Sequence, residues 1–179
     1  MGGTTGSGIA MRPSATAETR AVPWYAQGIL AGFFGAGVIA VFFLVFDLVA
    51  GRPLWTPQAL GSALFLGEWP DPSAPIAWVL VLGYTAIHFG FFHAFGVMAA
   101  FEVLTAKRMR SAWVAGVVTA LALFLVFEIS FLALAGLIEP RLLDELGTGR
   151  VAVANALAAI AMSAYLLFWR KHYGGPAEA

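Results

Sequence analysis

The sequence predicts an all-α polytopic membrane protein, a bundle of four transmembrane helices with a short interfacial helix in the first outer loop. Three observations predict it. Charged residues make up 11% and apolar residues 60% of the 179-residue chain, where soluble domains carry about 25% charge, so lipid has to cover most of the surface. Four runs approach the roughly 20 apolar residues that cross a bilayer, and they must be helical because lipid offers backbone groups no hydrogen bonds. The six tryptophans fall at the ends of those runs, where an aromatic belt forms.

The elements follow in order. Residues 1–25 are rich in Gly, Ser, Thr and Ala and lack the basic region and apolar core of a signal peptide, so they read as a flexible cytoplasmic tail. A transmembrane domain over 26–170 comes next. Its first span, 26–50, stops at Gly51 and Pro53. In the outer loop Thr56 can cap a helix with Pro57 at its first position, and Gln58–Leu66 makes a helix too short to cross, suited to the interface or to the underside of a neighbouring subunit. The second span, 75–101, starts at Ser73 and Pro75. The third, 111–138, ends at Pro140. A short helix in "EPRLLDELG" and the breaker Gly147-Thr148-Gly149 precede the fourth, 151–169, and 171–179 is a cytoplasmic tail.

Basic residues orient the bundle. Arg12, Arg20, Lys107, Arg108, Arg110, Arg170 and Lys171 fall on one side, against Arg52, Arg141 and Arg150 on the other. The positive-inside rule puts both termini in the cytoplasm of a bacterium, in its inner membrane. Trp24, Trp113 and Trp169 then anchor the cytoplasmic face, and Trp55, Trp69 and Trp78 the outer one. A net charge of zero supplies no basic face for nucleic acid. The absence of cysteine excludes disulfides, Cys-ligated zinc and iron–sulfur clusters.

Small residues at four-residue spacing let helices approach closely. Gly28, Gly32, Ala36 and Ala40 form such a ladder in the first span, with Asn155, Ala159 and Ser163 in the fourth and Gly83, Gly90 and Gly96 in the second. Packing inside the bundle is the expectation. Phe89, Phe91, Phe92 and Phe95 point around most of the second helix, so some are expected to face lipid, a cofactor or another protein.

Ionisable groups in lipid need a partner or a task. Asp47 and Asn155 lie near the outer ends of their helices, suited to capping or to pairing with Arg52 or Arg150. Glu128 and His88 lie at similar depths, roughly 15 and 20 Å in, so they are expected to form a pair. His88 and His93 stand about 140° apart around their helix, so they cannot clamp one metal, but each could ligate a separate haem or pigment. No metal site and no catalytic constellation is expected from the motifs.

The runs "FLVFDLVAGRPLWTPQALGSALF", "LGYTAIHF" and "FEISFLAL" resemble a group of uncharacterised bacterial four-helix integral membrane proteins. Asp47, Gly51-Arg52-Pro53, Thr56-Pro57, Gly61, Tyr84-Thr85, His88 and Glu128 carry the resemblance. It implies a shared architecture and no activity. The functional expectation is a non-catalytic accessory subunit of a larger membrane complex, respiratory or photosynthetic, in contact with lipid and other subunits. Lipid, quinone, carotenoid or (bacterio)chlorophyll are the molecules such a chain could hold. The alternative is a small membrane redox or transport protein using His88, His93 and Glu128.

Overall fold

The computed structural model describes residues 22–105, 111–138 and 140–173. The expectations for most of the N-terminal tail, for Arg12, Arg20, Lys107, Arg108 and Arg110, and for the end of the C-terminal tail lie outside these residues. Among the described residues every regular element is a helix: α1 Trp24–Val49, α2 Trp55–Leu66, α3 Trp78–Thr105, α4 Ala112–Leu137, α5 Arg141–Leu146 and α6 Thr148–Tyr173. α1, α3, α4 and α6 are long and apolar enough to cross a membrane.

The boundaries differ from the sequence expectation where a side chain from elsewhere sets them. α3 starts at Trp78 rather than Pro75 because Gln58, on α2, accepts from the Ala77 backbone N–H at 3.1 Å and donates to the Pro75 carbonyl at 3.3 Å. Ser73 starts no helix. Its N–H and hydroxyl both donate to Asp71 Oδ1, which holds that exposed carboxyl below its usual range. α6 starts at Thr148 because Gly147 alone, at φ +73°, turns the chain. α3 and α6 also outrun their apolar stretches, to Thr105 and Tyr173, since a helix does not end where its apolarity does. Arg170, Lys171 and His172 in the last turn of α6 suit the negative end of its dipole.

In the bundle α1 packs against both α3 and α6, and α4 packs against α6. The α1–α3 seam is glycine against glycine. A Cβ on Gly32 would stand 2.7 Å from His93 Cα, and one on Gly96 would stand 2.7 Å from the Gly32 nitrogen. No larger residue fits there with the helices so close. The expected ladder holds for Gly28, Gly32 and Ala36, which are buried, and fails at Ala40, which is exposed. Four-residue spacing drifts about 40° per step, so the fourth rung has turned about 120° from the first. The buried face continues instead through Phe43 and Asp47. Asn155, Ala159 and Ser163 are all buried, whereas Gly90 meets open space.

α2 is built differently from the expectation. It starts at Trp55, after Leu54 at φ +64°, and ends at Gly67 at φ +67°. Gln58 meets Pro75 and Ala77, Gly61 meets Leu80, and Phe65 meets Gly83. The contacts advance together along both helices, so α2 runs beside the start of α3, in the same direction, for its length of about 18 Å. Trp55, Thr56 and Gln58–Ala63 are buried there by the chain itself. α5 adds Leu142 and Leu146 to the same end, in a cluster with Phe43, Leu60, Val151 and Ala154. A second cluster, around Phe92, Phe127, Met162 and Leu166, fills the rest of the bundle.

Candidate ligand cavity around His88

Two cavities open toward the end of the bundle that carries α2 and α5. The larger, about 240 Å³, is walled by Phe91, Phe92, Phe127 and Phe131, with Tyr84, His88, Ser130 and Asn155 as its polar lining. The smaller, about 190 Å³, lies toward Asp47, Thr56 and Thr85. Tyr84, His88, Ile39 and Leu60 line both. Tyr84 and His88 are one turn apart on α3, so they share a face. Their rings stack at 5.7 Å with 27° between planes.

His88 does not meet Glu128 as expected. Its Nε2 lies 3.3 Å from the Ala36 carbonyl oxygen of α1. Only a protonated nitrogen donates to a carbonyl, so this bond places the proton on Nε2 and leaves Nδ1 as an acceptor. Glu128 Oε1 accepts from Asn155 Nδ2 at 2.9 Å. Glu128 lies on the α4 face that meets α6. His93 sits on the glycine seam, with its Nε2 buried and without a hydrogen-bond partner, and it lines neither cavity.

Asp47 caps a helix, but the helix is α2. Its Oδ2 accepts from the Thr56 N–H at 2.8 Å and its Oδ1 from the Thr56 hydroxyl at 2.7 Å. Thr56 therefore donates to a cap rather than forming one. Arg52 lies over the Trp55 ring at 4.7 Å, and Trp55 meets Trp69 edge-on at 6.3 Å. Trp78 and Trp113 are 58% and 74% exposed at helix starts, and Trp24 packs on Phe101. Trp169 is half-buried.

The phenylalanines turn inward more than expected. Phe91, Phe92 and Phe95 all meet Phe127 of α4 within 6.3 Å, and Phe89 meets Phe33 of α1. Sequence reasoning missed Tyr84 as a cavity group, although its place four residues before His88 signals a shared face. It also missed Gln27, whose Oε1 accepts from the Tyr165 hydroxyl at 2.6 Å and ties α1 to α6. A buried amide in an apolar run was the available signal. Among the described residues no group of three or more His, Asp or Glu side chains could hold a metal ion.

No family model, curated protein or solved structure matches the chain.

Proposed function

We propose that this chain is a non-catalytic subunit of a larger bacterial membrane assembly, and that it holds an apolar small molecule in the aromatic cavity beside His88. One observation carries the reading: four polar side chains join helices in a bundle that holds a cavity whose walls are mostly apolar. Asp47 joins α1 to α2, Gln58 joins α2 to the start of α3, Glu128 joins α4 to α6, and Gln27 joins α1 to α6. Groups committed in this way hold a scaffold. A concave apolar site with a few polar groups is the usual form of a small-molecule site. The assembly would sit in the inner membrane with both termini cytoplasmic, and respiratory or photosynthetic complexes are the kind that use such subunits.

The test is extraction of the tagged chain in mild detergent from its native membrane. Particle mass and visible spectrum are recorded in line, and bound lipids are identified by mass spectrometry. A particle much larger than a 19.0 kDa chain in its micelle, carrying an apolar molecule at fixed stoichiometry, is the expected result. A lone, empty monomer overturns the reading.

A second reading, small-molecule or proton transport, is favoured by one fact: His88 and Tyr84 line both cavities. Purified chain in proteoliposomes would then show a pH-dependent flux that His88→Phe abolishes.

A further inference from the structure

The cavity's chemistry narrows what it would hold. Its volume of about 240 Å³ falls below the roughly 300–1,000 Å³ of sites that enclose drug-sized ligands. A tetrapyrrole is too large for it, while a single ring fits. The walls suit a flat ring: Phe91 and Phe92 of α3 and Phe127 of α4 line the site, the Phe92 ring lies 4.6 Å from Phe127 and 4.9 Å from His88, and the stacked Tyr84–His88 pair continues the same face of α3. Aromatic rings attract one another in offset or edge-on arrangements. Ile87, also in the lining, is 49% exposed on the outside of α3. The cavity therefore reaches the apolar surface of the bundle, where a tail would leave the site.

The polar groups narrow the head further. Tyr84 carries a phenolic hydroxyl, a donor. His88 commits Nε2–H to Ala36 and keeps Nδ1 as an acceptor. One donor and one acceptor on a shared helix face suit an oxygen that accepts one bond and donates another. A ring hydroxyl does both, and a ring carbonyl only accepts.

We propose that the cavity is a binding site for an isoprenoid quinol, a hydroxylated aromatic ring with an apolar tail, its ring against Phe91, Phe92 and Phe127 and its hydroxyl between Tyr84 and His88. This rests on the reading that the cavity holds an apolar molecule. The site binds the quinol more tightly than the quinone, because the quinone carbonyl has no proton for His88 Nδ1. One neutral hydrogen bond corresponds to about a fivefold preference.

The experiment uses the full chain in lipid nanodiscs. It titrates a short-tailed decyl-benzoquinone and, under reducing anaerobic conditions, its quinol, reading heat by calorimetry. Saturable one-to-one binding with a quinol preference of about fivefold is expected. His88→Phe removes the preference and keeps binding, whereas Tyr84→Phe weakens both ligands several-fold. Leu134→Trp fills the cavity from α4 and abolishes binding of both, so the site is tested even if an α3 variant fails to fold. Equal affinity for the two forms, or binding unaffected by Leu134→Trp, overturns the inference. Absent binding in a chain that leaves the membrane with another lipid in the cavity overturns it too, while leaving the broader reading in place. A chain that binds nothing and retains nothing overturns both.

Discussion

Asp47 stands at the end of one helix and serves the start of another. The first N–H groups of α2 have no partner within that helix, and Leu54 before it offers no side-chain cap. The Asp47 carboxylate supplies one, bonding both the N–H and the hydroxyl of Thr56. Replacing Asp47 with Ala should therefore cost about 1–2 kcal/mol, read as a fall in Tm in detergent, and Thr56→Val should cost less because its N–H bond survives. Equal Tm values for Asp47→Ala and the parent would refute this cap. Glu128 makes a second case. Its Oε1 accepts from Asn155, and an amide oxygen can accept the same bond, so Glu128→Gln should keep stability within about 1 kcal/mol. Asn155→Leu leaves the carboxylate without that donor and should cost about 1–3 kcal/mol. The His88 resonance in NMR should titrate alike in Glu128→Gln and the parent, because Ala36 is its partner; a shift would show a Glu128–His88 coupling absent from the structure. Counting residues placed Glu128 and His88 at similar expected depths. It could not give their direction around the helix axis relative to neighbours, which depends on which helices pack together.

α2 shows how an element can be visible in sequence while its placement is not. Thr56, Pro57 and the apolar stretch to Leu66 mark a helix of this length, and its turn residue Gly67 marks the end. Nothing local says that Gly61 lies on the Leu80 backbone, because that depends on residues nineteen positions away folding into α3. A Cβ on Gly61 would stand 2.5 Å from the Leu80 carbonyl oxygen and 2.9 Å from its carbon. Backbone cannot swing aside as a side-chain tip can. Gly61→Val should push α2 off α3, breaking the Gln58 bonds to Pro75 and Ala77 as well. The expected outcome is faster hydrogen exchange at Ala77 and through α2, with α4 and α6 unchanged. Gln58→Leu should speed exchange at Ala77 while leaving α2 protected. Uniform protection in Gly61→Val would mean that the two helices are not packed in this way. The four long spans, by contrast, were legible because apolar length is a local property; only their ends moved, among them the starts of α3 and α6, where Gln58 and Gly147 set them.

At the scale of the whole molecule the chain order and the packing order differ. α3 and α4 follow one another in sequence, yet α1 and α6 form the middle of the bundle, with α3 flanking α1 and α4 flanking α6. The first three helices therefore make one half, sealed by the glycines of α1 and α3, and the last three make the other, tied by Glu128 and Asn155. The halves meet chiefly through α1 and α6, where Gly35 faces Met162 and Gln27 bonds Tyr165, and through the rings that bridge Phe92 to Phe127. Association in lipid rests on such close packing rather than on a hydrophobic driving force. Two separate chains, residues 1–108 and 109–179, should therefore assemble when made together in one membrane, and a tag on the first should bring down the second. Gly35→Leu puts a branched side chain where a Cβ alone would already lie 2.8 Å from Met162 Cγ and 2.9 Å from a Phe92 ring carbon. It should abolish the co-purification, yet leave each half inserted and each internal seam protected. Gly37→Leu, on the same helix but facing open space, should leave the co-purification intact. If both variants behave alike, the α1–α6 seam is not what joins the halves, and the cavity between them would have to be closed by something other than this packing.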